Sequence, residues 1–291
     1  MSERASLAVS PLWPADLDHF RLDSPKPEAL ADFYARAMGM AVTRLSADLL
    51  LAAGPQRRLI IGRGEARGHP FNAFALADAA QLRRYRAFLE ERGARLLPSP
   101  TPLLRGEAFA VRDPDGRLAA FGLPSDSKTA ARPARLQHVV VASSRFPEMM
   151  GFYRDVLGFL VSDTVHVDNG GELGEANVCF FRANVEHHSF AVFRAPVSSS
   201  DHHAYEVPGW DDLRHWADHF ASLDVPIWWG PGRHGAGNNL FFMIKDPDGN
   251  NLEISAELEH LGYGEPGKRW PAGGKALNLW GPAWVRDATI A

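Results

Sequence analysis

The second half of this 291-residue chain repeats the order of motifs found in its first half. Phe33-Tyr34 and Phe152-Tyr153 lie 119 residues apart, and so do His19 and His138. The sequence Asp-Pro-Asp-Gly occurs at 113–116 and again at 246–249, which is a spacing of 133 residues. The second copy therefore carries about 14 extra residues, which we place in the loop around residues 169–172. Such a duplication predicts two copies of one structural unit.

Each copy has the pattern of a strand, a helix and further strands, followed by the same order once more. Alternating apolar residues predict opening strands over 16–22 and 136–142. Helical spacing follows over 27–38 and 147–157, and a glycine ends each helix. The pattern predicts an α+β fold of tandem βαβββ modules. These form two domains, each a curved mixed sheet that surrounds a cavity, with the helices outside.

The predicted N-terminal module covers residues 15–123 and the C-terminal module covers residues 135–257. Residues 124–134 are polar, contain two prolines and are predicted to be the linker. Residues 258–291 form a tail rich in Trp, Gly and Pro that is too apolar for a disordered tag. We expect this tail to pack on the C-terminal module or to seal a contact between subunits.

Charge and composition exclude several classes of protein. The formal net charge of -4 leaves no basic patch, so no nucleic-acid partner is expected. No apolar run reaches the ~18 residues of a membrane span, and the N-terminus lacks the pattern of a signal peptide. The single cysteine, Cys179, excludes an internal disulfide framework and fits a reducing cytoplasm. We expect a cytoplasmic homo-oligomer that associates through its sheet edges and its tail.

A carboxylate near the end of the second copy requires a partner. Glu253 stands between Leu252 and Ile254 in a short apolar strand, and burying an unpaired carboxylate is costly. Alternate residues of a strand point to opposite faces, so His138 shares a face with Val140. The sequence therefore predicts that Glu253 is a metal ligand and that His138 is a second one.

The third ligand is predicted from the strand over residues 201–207. His202 shares a face with Ala204 and Glu206, whereas His203 shares the bulkier face with Tyr205 and Val207. The bulkier face is expected to pack on the helices, so His202 is preferred and His203 remains the alternative. Two imidazoles and one carboxylate form the facial triad of non-haem Fe(II) oxygenases. The predicted metal is Fe(II), with Mn(II) as the alternative.

Two further histidines are not needed for the triad and are free for acid–base chemistry near neutral pH. His188 begins an apolar strand that runs toward the same interior, and His234 lies in a glycine-rich loop before the Glu253 hairpin. The simpler alternatives are a solvated pair at His187-His188 and a loop residue without a role at His234. A lone strand histidine is also more often a core residue than a ligand.

The motifs that carry these residues resemble those of the type I extradiol ring-cleavage dioxygenases of the vicinal oxygen chelate superfamily. The resemblance extends over about residues 15–257 and is specific in the second half. The matching segments are LQHVVV with His138, HHSFAVF with His188, DHHAYEV with His202, and GRHGAGNNLFFMIKDPDGNNLEI with His234 and Glu253.

The resemblance implies that His138, His202 and Glu253 hold Fe(II). It also implies that His188 is the acid–base residue near the oxygen site and that His234 hydrogen-bonds a substrate oxygen. One position departs from the family, which usually has a tyrosine where this chain has Met243. A methionine cannot donate a hydrogen bond. Either another group steadies the substrate, turnover is slower, or the substrate is not an ordinary catechol.

By the same resemblance, the first copy is a structural module without a complete metal site. It keeps His19, but Ala120 stands where the second copy has Glu253, and residues 71–74 contain no histidine. The expected activity is Fe(II)-dependent extradiol cleavage of a small aromatic diol by O2, which gives a ring-opened semialdehyde. The alternatives are a metal-dependent isomerase, lyase or epimerase of the same superfamily, and a non-catalytic small-molecule-binding protein.

Overall fold

The first copy forms eight strands and two helices. The computed structural model of the chain describes residues 9–124 and 134–283. The elements are, in order, β1 (Ala15–Ser24), α1 (Pro27–Met38), β2 (Ala41–Arg44), β3 (Leu49–Gly54), β4 (Arg57–Arg63), β5 (Gly68–Leu76), α2 (Ala79–Glu91), β6 (Leu96–Pro98), β7 (Arg105–Arg112) and β8 (Leu118–Leu123). Proline in the first turn starts α1, and Gly39 ends it with a left-handed φ of 59°.

The second copy repeats this order and adds a tail. Its elements are β9 (Arg135–Ser143), α3 (Phe146–Gly151), β10 (Leu160–Asp168), β11 (Leu173–Arg182), β12 (Phe190–Arg194), β13 (Ser199–Val207), α4 (Trp210–Ser222), β14 (Trp229–Arg233), β15 (Leu240–Lys245) and β16 (Asn251–Ala256). The tail contributes β17 (Lys268–Pro271) and α5 (Gly274–Leu277). The helix predicted over 147–157 is α-helical only at its start and continues as a π-helical turn over Phe152–Val156.

The two sheets have the same strand order. The first runs β2-β3-β4-β1-β5-β8-β7-β6, and the second runs β10-β11-β12-β9-β13-β16-β15-β14 with β17 added beside β10. The predicted α+β fold of duplicated modules is therefore confirmed. β10 and β11 have nine and ten residues where β2 and β3 have four and six, so this longer hairpin holds most of the extra residues.

Alternation along the central strands separates the helix-packed face from the inner face of each sheet. On β9, Val139 and Val141 join the large apolar core, which includes residues of both copies. Val140 and Ala142 instead belong to a smaller cluster with Ala191 and Phe193. On β13, Tyr205 and Val207 pack in the large core. The inner face of these two strands therefore carries His138 and His202 beside small apolar residues such as Val140.

The two copies contact each other through a reciprocal pair of hydrogen bonds. Tyr34 of α1 donates from its hydroxyl to Asp246 of the second Asp-Pro-Asp-Gly turn, at 3.1 Å. Tyr153 donates in the same way to Asp113 of the first such turn, at 3.4 Å. Burial raises the pKa of Asp113 and of Asp246 to about 6. Each copy thus donates a tyrosine hydroxyl hydrogen bond to the Asp-Pro-Asp-Gly turn of the other copy.

The described part of the tail packs on the second sheet. β17 pairs in parallel with β10, and the buried guanidinium of Arg182 donates to the carbonyl oxygens of Gly262 and Glu265. α5 lies against the glycine loop, where Gly235 and Ala236 donate backbone hydrogen bonds to Ala276. A Cβ at Gly235 would lie 2.2 Å from the backbone oxygen of Lys275, so this approach requires glycine.

Some sequence expectations differ from the structure or lie outside it. β12 begins at Phe190, so His188 precedes the strand rather than opening it. Nearly all of the predicted linker, and Trp284 in the tail, lie outside the described residues. Across residues 9–124 and 134–283, no helix combines the length and apolarity that crossing a bilayer requires.

The raised pKa of Asp246 predicts how stability depends on pH. Its folded-state pKa of about 6 exceeds the ordinary 3.8, so the folded protein binds this proton more tightly than the unfolded chain. The contribution of this proton to the free energy of unfolding is fully present below pH ~4 and is lost as the pH rises through ~6. In wild type, Asp246 should lower the free energy of unfolding by up to about 3 kcal/mol over this interval. In Asp246→Asn this decrease should be absent. Urea denaturation of the metal-free protein at several pH values measures the change.

Asp155→Asn is the control for this measurement. Asp155 is exposed and bonded to Arg154, which lowers its pKa instead of raising it. The control variant should keep the wild-type slope between pH ~4 and ~6. An Asp246→Asn slope equal to that of wild type would contradict the assignment.

Candidate active site

Three adjacent strands of the second sheet bring the predicted metal ligands together. His138 lies on β9, His202 on β13 and Glu253 on β16, and in the sheet β13 lies between the other two strands. Ala204 of β13 is in register with both His138 and Glu253, so His202 points to the same face from two residues away. All three side chains are buried, and one ligand atom from each lies within 4.8 Å of the others.

Hydrogen bonds fix the tautomers of both histidines. Nδ1 of His138 contacts the amide oxygen of Gln137, whose nitrogen donates to the His188 carbonyl at 2.6 Å. Nδ1 of His202 lies 2.6 Å from a carboxylate oxygen of Asp201. Both partners are acceptors, so each Nδ1 carries the proton and each Nε2 keeps its lone pair. The two Nε2 atoms are 3.1 Å apart, and two lone pairs at this distance repel unless a cation lies between them.

Glu253 adds an uncompensated negative charge to the same point. Its Oε1 accepts a hydrogen bond from Asn239 at 3.1 Å, but its buried Oε2 has no hydrogen-bond partner. Oε2 lies 3.7 Å from Nε2 of His202. A fully buried, half-satisfied carboxylate beside two imidazole lone pairs fits a divalent cation bound by one face. The side chains of Gln137, Asp201 and Asn239 orient the three ligands, as outer partners do in metal sites.

The environment of His138 keeps its ring neutral. Burial, and then the neighbouring imidazoles of His188 and His202, hold the pKa of His138 well below its ordinary value. A metal binds the neutral imidazole, so this histidine does not have to lose a proton on binding.

His188 and His234 lie on two sides of the same point. The ring centroid of His188 is 4.3 Å from that of His138, and the side chain is buried. The interpretation of His187-His188 as a solvated pair is therefore wrong. His234 stacks on Phe241 with ring centroids 3.8 Å apart, and its Nδ1 contacts the carbonyl oxygen of Leu277. Nε2 of His234 is 3.7 Å from Oε2 of Glu253.

The remaining walls of the cavity are apolar. Met243 is in register with Glu253 and packs with Trp229 and Phe241. The other apolar lining side chains are those of Val140, Val178, Phe180, Phe193, Ala236, Ala276 and Leu277. Among the described lining residues there is no arginine or lysine. Ala276 and Leu277 come from the tail, and no periodicity in the sequence indicated this.

The alternative ligand His203 points away from the cavity. Its Nε2 lies 2.8 Å from the Tyr34 hydroxyl, on the helix-packed face of β13. The matching point of the first sheet is apolar, with Phe71, Ala73 and Ala120 in one cluster. His19 is buried there and contacts Thr101 and Asp18. Among the described residues, the only group that could hold a metal ion is therefore in the second sheet.

Comparison with known proteins agrees with this geometry. Residues 135–254 match the Glyoxalase/Bleomycin resistance protein/Dioxygenase superfamily. Metapyrocatechase 2 of Cupriavidus necator is 28% identical over 91% of this chain and 88% of its own length. An iron-dependent extradiol dioxygenase of Rhodococcus jostii is 27% identical over 91% of this chain and 95% of its own length.

A solved structure supports the same assignment. The Mn(II)-bound glyoxalase of Novosphingobium aromaticivorans superimposes with a TM-score of 0.77 at 25% identity, over 92% of this chain and 91% of that chain. The chain therefore matches the Glyoxalase/Bleomycin resistance protein/Dioxygenase superfamily over residues 135–254, and its resemblance to the extradiol dioxygenases is confirmed.

Proposed function

We propose that the protein is an extradiol dioxygenase that cleaves the ring of an apolar catechol with O2. The observation that carries the proposal is the convergence of two imidazole lone pairs and an unpaired carboxylate oxygen on one point of an apolar cavity. His138, His202 and Glu253 would hold the metal. When bound, the metal would supply a Lewis acid for the catechol and a redox centre for the reaction with O2.

The remaining histidines supply the proton chemistry. His188 lies in the cavity wall, where it can accept a proton from a substrate hydroxyl and return it later. Burial, and then the neighbouring imidazole of His187, hold the pKa of His188 well below its ordinary value, so the ring is neutral before the substrate binds. His234 carries its own proton on Nδ1, bonded to Leu277, so its Nε2 accepts from a second substrate hydroxyl and orients the ring. Fe(II) in preference to Mn(II), a semialdehyde product, self-association and a cytoplasmic location stay predictions.

The lining favours an uncharged aromatic ring. A carboxylated catechol would bury its charge against valine, phenylalanine and tryptophan side chains without a cationic partner among the described lining residues. Leaving such a charge unpaired costs several kcal/mol. The proposed substrates are therefore catechols with hydrogen, alkyl or aryl substituents.

Oxygen uptake by the Fe(II)-loaded protein tests the activity and this preference together. The protein is loaded without air, mixed with a catechol, and exposed to O2 while uptake and the yellow product are recorded. We expect kcat/KM for 3-methylcatechol to exceed that for 3,4-dihydroxyphenylacetate by about 10²-fold or more. Metal binding without oxygen uptake on any catechol would favour the isomerase, lyase or epimerase alternative. A protein that binds no metal would be left as a small-molecule binder.

Glu253→Gln tests the metal site. The amide keeps the size of the side chain but removes the negative charge, so we expect Fe(II) binding to weaken by about 10²-fold or more. Metal content after dialysis and titration calorimetry measure the effect. Glu257→Gln is the matched control, because Glu257 is half-exposed and bonded to Arg233 outside the cavity. Undiminished metal retention in the Glu253 variant would contradict the ligand set.

His188→Phe separates acid–base chemistry from metal binding. The variant should keep its metal, since His188 is not a ligand, while kcat falls by about 10²- to 10⁴-fold. His215→Phe is the control, because His215 is exposed on α4. Metal content and initial rates of oxygen uptake are measured for both variants. A His188 variant with wild-type kcat would assign the proton transfer to another group.

A further inference from the structure

A second buried histidine lies directly behind His188. Nδ1 of His188 is 2.9 Å from Nδ1 of His187, and the two rings meet nearly at right angles. Both side chains are buried. At this distance one nitrogen donates a proton and the other accepts it. Because Nδ1 of His188 is engaged in this hydrogen bond, the direction of the bond decides whether Nε2 of His188 carries a proton or a lone pair.

A carboxylate lies on the far side of His187. Nε2 of His187 is 3.2 Å from Oδ2 of Asp163, at an angle outside a regular hydrogen bond. Asp163 also accepts from the indole of Trp270 at 2.6 Å and from the backbone of Lys268 at 2.7 Å. Burial alone would raise the pKa of Asp163, but His187, Lys268 and Trp270 hold it below its ordinary value. The carboxyl is therefore ionised at neutral pH and can only accept protons.

We propose that Asp163 and His187 are positioning residues that keep the proton of His188 on Nδ1. An ionised carboxylate beside Nε2 of His187 favours the tautomer of that ring with its proton on Nε2, because a lone pair there would face negative charge. Nδ1 of His187 must then accept, so Nδ1 of His188 must donate. Nε2 of His188 is left with its lone pair.

This arrangement makes His188 a proton acceptor before the reaction begins. The proton of a substrate hydroxyl moves to Nε2 of His188 and leaves its electron pair on the oxygen, so His188 becomes an imidazolium that can return the proton. That role rests on the proposed function, whereas the tautomer does not. β17 takes part indirectly, because two of its residues hold Asp163 in place.

Asp163→Asn tests the assignment in the metal-free protein. An amide nitrogen near His187 can donate to Nε2, which reverses the hydrogen bond and moves the His188 proton to its own Nε2. Long-range ¹H–¹⁵N NMR spectra of protein with ¹⁵N-labelled histidine report the tautomer, and the His188→Phe spectrum identifies the signals. We expect Nδ1–H in wild type and Nε2–H, or a mixture, in Asp163→Asn. A wild-type proton on Nε2, or an unchanged tautomer in the variant, overturns the proposal.

Kinetics of the Fe(II)-loaded variants give a second readout. Asp163→Asn should lower kcat by about 10²-fold with metal content and KM little changed, because proton transfer is affected and binding is not. His166→Asn is the control, because His166 is a buried residue of β10 that contacts Arg269 of the tail and not the cavity. An equal loss of kcat in His166→Asn would mean that only the packing of the tail matters, which overturns the proposal.

A second variant tests the tautomer if the first does not fold, and one outcome separates this proposal from the proposed function. Should Asp163→Asn not fold, His187→Phe removes the acceptor of the same hydrogen bond and should give mixed His188 tautomers. A wild-type tautomer in that variant again overturns the proposal. If the tautomers behave as expected but no catechol is cleaved, the positioning role stands and the proposed function fails.

Discussion

The inner face of the second sheet is arranged around one buried carboxylate that is only partly hydrogen-bonded. Glu253 is fully buried, and one of its oxygens receives no hydrogen bond from the described residues. Burying such a group costs several kcal/mol, so the surrounding strands must be stable enough to hold it before any cation arrives. The shared apolar core of the two copies provides that stability on the opposite face of the same strands. The fold therefore supports an arrangement that is unfavourable until a metal ion is bound.

The features that could be predicted from the sequence are those governed by strand alternation and by duplication. A period of two residues is enough to distinguish the two faces of β13. It correctly predicted that His202 lies on the inner face and His203 on the helix-packed face. The repeat indicated the paired modules, and it matched Ala120 of the first sheet to Glu253 of the second. That His138, His202 and Glu253 meet at one point follows from the same alternation on three adjacent strands.

Contacts between distant segments could not be predicted in this way. Nothing in the local pattern links Trp270 to Asp163 or Leu277 to His234, because no periodicity relates these pairs. The same is true of Asn239, whose amide lies in a loop and reaches Glu253 only after the hairpin closes. His188 was expected in the interior, but nothing indicated that His187 is buried behind it. Two polar residues before a strand normally indicate solvent, and here the tail and the neighbouring strands exclude it.

The tail has a consequence for how the binding cavity can change during evolution. The proposed metal ligands belong to the duplicated scaffold, where alterations disturb a shared core. Ala276 and Leu277, which form part of the cavity wall, belong to a short helix outside both repeats. Substitutions there can alter the shape offered to the ring while the metal geometry stays as it is. One part of the cavity wall can thus diverge without disturbing the strands that carry the proposed metal ligands.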